Sequence, residues 1–349
     1  MRGILTTPMR IGLALCAVAV ALLASSLAAA AAPAAVQAKR FDAPAIPPAQ
    51  YWTKARMRAA EPADVALPGG PDVDASAPSG PAAEPSYVPA ASAGSSAPVE
   101  LLAGTSSSEQ SLFGSSEEIP DPAAPGIRAH GKVFFTIPGQ GDFVCSGTAV
   151  NSRNRSVVWT AGHCVFDAGP SNQGYTNRFS TNFIFVPAYR DGAAPFGRWA
   201  ARRLATTDAW RDDASLKYDL GAAVVRRHED GRLQRVVGAR GIGFNQPRDQ
   251  VLRAIGYPQE LPFNGQREFR CTGAPVGSDD PGGAGPRTTR IRCDMTGGSS
   301  GGGWIAGTTL LSVTSYGYGT DPGHLYGPYM SSAAKELYKS VRGKKRRRR

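Results

Sequence analysis

From Gly126 onward the chain is a succession of short runs rich in Val, Ile, Phe, Thr and Tyr, separated by Gly, Pro and Asn turns. Val133–Ile137, Ser156–Thr160, Asn182–Val186, Gly221–Val225, Val251–Ile255 and Leu310–Thr314 are the clearest. Many short strands with turn signals between them predict an all-β fold, a sandwich or barrel. One segment departs from this pattern. In Ser331–Val341 a serine at 331 or 332 is placed to cap a helix, and Ala334, Leu337, Tyr338 and Val341 share a face. About 215 residues is large for one β-domain and suits two stacked units, 126–235 and 236–342, the second including the helix.

What precedes Gly126 has a different composition. Residues 1–35 have the layout of an export signal: Arg2 and Arg10, an apolar run Ile11–Leu23, then the small-residue stretch Ala24–Ala35. The run is short and alanine-rich for a membrane anchor. Cys16 lies inside it behind Leu15, not behind the small residue of a lipoprotein signal, and is expected to be discarded. Residues 36–125 are dominated by Ala, Pro, Ser and Gly and are expected to be a disordered pro-segment or linker. Glu61–Asp121 holds ten acidic residues and no Lys or Arg, whereas the chain from Ile127 onward holds 32 basic and 17 acidic residues, a net of +15. An acidic segment ahead of a basic body is placed to dock on it and weakly mask it; a solvated linker is the alternative. At the other end, residues 343–349 form a basic tail, with six cations in Lys344–Arg349. This suits an anionic cell-envelope polymer better than nucleic acid, since no aromatic residue is interleaved for base stacking; a solvated tail is the plain alternative.

Without Cys16, four cysteines remain: Cys145, Cys164, Cys271 and Cys293. An even number in an exported chain points to two disulfides. Of the three pairings, Cys145–Cys164 and Cys271–Cys293 are favoured, each closing a loop worth roughly 3 kcal/mol in the chain-entropy account. No Cys-x-x-Cys or His-x-x-x-His spacing supports a zinc site.

The stretch Thr296–Trp304, TGGSSGGGW, is entropically costly. Acyl transfer needs a nucleophile and two N–H donors aimed at a developing oxyanion, in a turn that only glycine can make. Gly298-Ser-Ser-Gly-Gly302 fits such a turn, with Ser300 as nucleophile and the Gly298 and Ser300 amides as the oxyanion hole. A serine hydroxyl needs a base. Of His130, His163, His228 and His324, His163 is the one held at a strand end and beside a cysteine, in Trp159-Thr-Ala-Gly-His-Cys164. The base needs an orienting carboxylate. Asp219 opens the apolar run Leu220–Val225, whereas Asp212 and Asp213 lie in a polar stretch.

Taken in order, Thr160-Ala-Gly-His-Cys164, Asp219-Leu220 and Gly298-Ser-Ser-Gly-Gly302 resemble the motifs of the trypsin-like serine proteases of the chymotrypsin fold. The spacings of 56 and 81 residues match that family, and the resemblance spans roughly residues 126–341. "DMTGGSSGG" and Tyr326–Tyr329 are most similar to the bacterial branch that contains glutamyl endopeptidases. The resemblance implies two antiparallel β-barrels with the active site between them, a C-terminal helix, and a disulfide behind the histidine, which suits Cys145–Cys164. It also implies a secreted monomeric endopeptidase acting on protein or peptide substrates through His163, Asp219 and Ser300, with no metal or organic cofactor. Two departures stand out. Ser299 replaces the acid that pairs with a freed N-terminus in digestive members, and Gly303 replaces a proline usual in the branch.

The strand Ser312–Tyr318 is expected to line the substrate pocket, with Thr314, Ser315, Tyr316 and Gly317 as wall residues and His324 nearby. Glutamyl endopeptidases use a histidine where this chain has Thr314 and Ser315, which argues against a strict preference for glutamate. Asp294 lies six residues before Ser300, the spacing of a selector for basic residues or simply of a turn. A non-catalytic polyanion- or cell-envelope-binding protein on a protease-like scaffold is the alternative function. The intact set of three residues argues against it.

Overall fold

The computed structural model describes residues 35–42, 46–75, 83–94 and 114–344. The expected export signal lies outside the described residues except for Ala35, and most of the basic tail, 345–349, lies outside them too. The expected β runs fall on strands whose ends agree within a residue, except that the first strand starts three residues before the expected Val133, at His130. Gly221–Val225 is reproduced in full, and Asn182–Val186 lies within Thr181–Pro187. The long strand Trp199–Thr207 escaped the sequence reading, because two arginines interrupt its apolar alternation.

Six body strands form the first barrel. Trp199–Thr207, Thr181–Pro187, His130–Ile137, Gly141–Val150, Val157–Thr160 and Gly221–Val225 pair antiparallel in that order. Gly221–Val225 then pairs back onto Trp199–Thr207, closing the ring. The second half holds two sheets. One runs Gly241–Phe244, Thr309–Val313, Gly303–Ala306, Leu252–Gly256, Phe269–Gly273; the other runs His324–Gly327, Thr288–Arg292, Pro275–Asp279. The helix Ser332–Val341 is capped by the Ser331 hydroxyl and buries Ala333, Ala334, Leu337, Tyr338 and Val341. Both favoured disulfides are present, Cys145–Cys164 and Cys271–Cys293.

The disorder expected of residues 36–125 does not extend to the described parts of that segment. Val36–Arg40 pairs with Trp199–Thr207, Ser86–Val88 with Gly241–Phe244, Ser116–Glu118 with Phe269–Gly273, and Val73–Asp74 with Pro275–Asp279. Its composition cannot build a core, but it shares one that exists. Trp52, Met57 and Ala60 are buried in a cluster with Phe134, Val144, Ile184, Val186, Tyr189 and Tyr257 of the body. The Trp52 indole N–H donates to the Asn182 carbonyl at 2.6 Å.

Candidate active site

The glycine-rich turn is clamped between the two halves. The Ser146 N–H donates to the Ser300 carbonyl (2.7 Å), the Ser146 hydroxyl to the Gly298 carbonyl (2.9 Å), and the Gly301 N–H to the Thr314 carbonyl (2.8 Å). The backbone can turn this tightly because Gly298 and Gly301 take φ of 91° and 77°, in the left-handed region that favours glycine. A Cβ at Gly301 would also overlap Thr160 Oγ1 and the Ser146 carbonyl oxygen. The two serines are thereby told apart. The Ser299 hydroxyl is spent on the Thr296 carbonyl at 2.7 Å, whereas the Ser300 hydroxyl reaches into the cleft.

His163 and Asp219 are joined as expected. Nδ1 of His163 lies 2.7 Å from Asp219 Oδ2, and the His163 backbone N–H donates to Asp219 Oδ1 at 2.8 Å, so the carboxylate fixes both ring and main chain. Asp219 is fully buried, and the Ser315 hydroxyl donates to its Oδ2 at 2.5 Å. Burial by itself would depress the His163 pKa, but the charge and hydrogen bond of Asp219, aided by the charge of Asp64, raise it instead. The Trp210 ring stands edge-on to the imidazole at 6.2 Å. Nε2 of His163 is buried and has no hydrogen-bond partner among the described residues. Asp212 and Asp213, the weaker candidates, end a surface helix, Asp208–Asp213, where Asp212 pairs with Arg211.

The expected pocket residues divide. Thr314, Tyr316, Gly317, Asp294 and His324 do line one cleft together with Ser300. Ser315 does not belong with them: it is fully buried and serves Asp219. Asp294 is exposed, with its Oδ1 accepting the Ser116 N–H at 2.7 Å. Thr314 Oγ1 accepts the Trp304 indole N–H at 3.0 Å. The Tyr316 ring stacks on Tyr326, and its hydroxyl donates to buried Asp279 at 2.7 Å. His324 Nδ1 lies 3.0 Å from Asp321 Oδ1; burial and the Arg290 charge nonetheless hold its pKa below the ordinary value. The acidic residues along the cleft are Asp64, Glu260, Asp294 and Asp321, and no Lys or Arg is among its described lining.

One residue at this site had no local signal in the sequence. Asp64 Oδ1 accepts the Gly298 N–H at 3.0 Å and lies 3.4 Å from the Ser300 hydroxyl. The residue as a whole is exposed, but its carboxyl enters the cleft. Desolvation there raises its pKa. The Gly298 N–H opposes the shift, the Glu260 charge adds to it, and His163 and the Ser300 hydroxyl oppose it more weakly.

No protein-family model and no curated protein matches the chain. Solved structures do. The protease Anisep from Arthrobacter nicotinovorans is 37% identical, with a TM-score of 0.57 over 65% of this chain and 99% of that one. A thermostable serine protease, AL20, from an extremophilic microorganism is 41% identical, with a TM-score of 0.55 over 62% and 97%. A Glu endopeptidase, 16% identical at a TM-score of 0.50 over 66% and 97%, shares the fold. With the closed barrel and the clamped serine turn, these similarities establish that the chain belongs to the serine proteases of the trypsin and chymotrypsin fold.

Proposed function

We propose that the chain is a secreted serine endopeptidase in which Ser300 is the nucleophile, His163 the general base and Asp219 its orienting carboxylate. Ser300 Oγ attacks the scissile carbonyl carbon and its proton passes to His163 Nε2. The Gly298 and Ser300 amides hold the oxyanion. The imidazolium then protonates the leaving amine, and a water activated by the same base releases the acyl group and restores Ser300. The observation that carries this reading is the His163–Asp219 contact of 2.7 Å beside a serine turn whose Gly298 N–H already holds an anion, the Asp64 carboxylate.

Secretion is supported by the export-type N-terminus and the two disulfides. The acid-lined cleft favours basic or neutral substrate side chains over glutamate. The tail Lys344–Arg349 supplies an anchor for anionic envelope polymer. Fluorophosphonate labelling tests the assignment. Ser300→Ala is expected to abolish both labelling and peptide hydrolysis, a loss of about 10⁴-fold or more, while Ser299→Ala keeps both. Wild-type labelling of Ser300→Ala would overturn it.

A further inference from the structure

Residues 61–67 cross the cleft as an extended strap. On one side Glu61–Pro62 pairs parallel with Phe143–Val144, and the Ala63 N–H donates to the Val144 carbonyl. On the other side Ala66–Leu67 pairs parallel with Gly317–Tyr318, and the Gly317 N–H donates to the Val65 carbonyl. Asp64 lies between the two ladders, with its carboxylate on the Gly298 amide and near the Ser300 hydroxyl. A Cβ at Gly297 would overlap that carboxylate, so the turn has room for it only because residue 297 is glycine.

Both ends of the strap are fastened. Upstream, Trp52, Met57 and Ala60 are buried against the first barrel, and the Ala60 carbonyl accepts from Gln259 Nε2 at 2.8 Å. Gln259 is itself held by buried Lys132, whose Nζ donates to its Oε1 at 2.8 Å. Downstream, the Thr320 hydroxyl donates to the Gly69 carbonyl at 2.5 Å, and Val73–Asp74 joins the strand Pro275–Asp279. Parallel ladders two residues long hold weakly by themselves. The centre of the strap is therefore positioned by its anchors and by the charge-assisted bond at Asp64.

We propose that residues 61–67 are a built-in competitive inhibitor of the protease site, in which the Asp64 side chain takes the place of the substrate's oxyanion. This rests on the assignment of Ser300 and the Gly298 amide given above. A carboxylate has no leaving group and is a poor electrophile, so an occupant of this kind blocks acyl transfer without being consumed by it. The acidity of the segment thus acts through one side chain at one amide, and not only through the general charge difference between segment and body.

The test is the rate of fluorophosphonate labelling of the intact chain, compared among wild type, Asp64→Ala, Asp64→Asn and Ser300→Ala. Wild type is expected to label about tenfold or more slowly than Asp64→Ala. Asp64→Asn, which keeps the shape and an acceptor but not the charge, falls between them. A synthetic peptide spanning 59–69, added to Asp64→Ala, slows labelling; the same peptide with Asp64→Asn slows it less. Equal rates for wild type and Asp64→Ala overturn the proposal and leave the Ser300 assignment standing. So do two unlabelled Asp64 variants beside a labelled wild type, since the isosteric asparagine guards against a folding defect. Labelling of none of the four overturns both the proposal and the assignment.

Discussion

The segment before Gly126 and the body after it reach order by different routes. The body writes its strands into its own sequence. Val133, Phe135, Val158, Trp159, Ala222 and Val224 alternate or cluster so that its sheets bury one another. The segment has no such pattern. Its described strands are two to five residues long, and each pairs with a strand of the body and not with a strand of its own. Burial of a few large side chains, Trp52 above all, fixes where it sits. Low apolar content means that a chain cannot build a core, which is different from being unable to join one. On the reading proposed above, the division also separates two tasks: body residues perform the chemistry, and segment residues control access to it.

That separation can be broken by experiment. The largest effect is expected from Trp52→Ala. Removing a buried indole costs about 3–5 kcal/mol, and here the cost falls on docking of the segment. Limited proteolysis should cut near residues 46–75 much faster and fluorophosphonate labelling should accelerate, while the body keeps its unfolding midpoint. One cooperative transition moved to lower temperature, without separate loosening, would show segment and body to be a single unit. A smaller effect, confined to the chemistry, is expected from Ser315→Ala. The buried Asp219 carboxylate loses one charged hydrogen bond, about 1.5–3 kcal/mol, and kcat should fall roughly ten- to hundredfold with little change in KM. An equal change in labelling of the covered and uncovered forms would support its assignment to the body's chemistry alone.

The smallest effect is that of pH. In the covered state the charge of Asp64 adds to that of Asp219 in raising the His163 pKa. Groups that hold protons more tightly when covered take up protons on covering, so acidification favours the covered state. Between about pH 8 and pH 5 the labelling rate of wild type relative to Asp64→Ala should fall a few-fold. The corresponding ratio for Asp64→Asn should change less, because the asparagine has no charge to act on His163. A wild-type ratio that rises on acidification would contradict this sign.

How legible the molecule was depends on how local each signal is. His163, Asp219 and Ser300 each stand in a short motif whose turn or strand is set by immediate neighbours, and the helix after Ser331 announces its own cap. The service of Ser315 to Asp219 spans 96 residues, and that of Asp64 to Ser300 spans 236. Neither leaves a local trace, because the contact exists only once the halves close. Asp294 shows the converse: its spacing from Ser300 fits a selector or a turn residue, and the structure adds a partner that spacing does not announce, the Ser116 N–H, from a segment whose composition reads as disordered. Sequence distance reads turns well and reads meetings between distant strands poorly.

The six short strands that the segment lends have a colloidal consequence. If the segment departs, the strips of backbone they cover on Phe143–Val144, Arg203–Thr207, Ile242–Phe244, Phe269–Cys271, Ser278–Asp279 and Gly317–Tyr318 lose their partners together. Bare sheet margins are adhesive, and identical molecules with the same margins adhere to one another. The same departure also removes more acidic than basic residues and leaves a body of net charge +15. Like-charged particles repel over the Debye length, about 8 Å at physiological salt. The event that makes the released body sticky therefore also makes it self-repelling, and dilute saline suspensions of it should stay dispersed where polyanion-rich or high-salt ones clump.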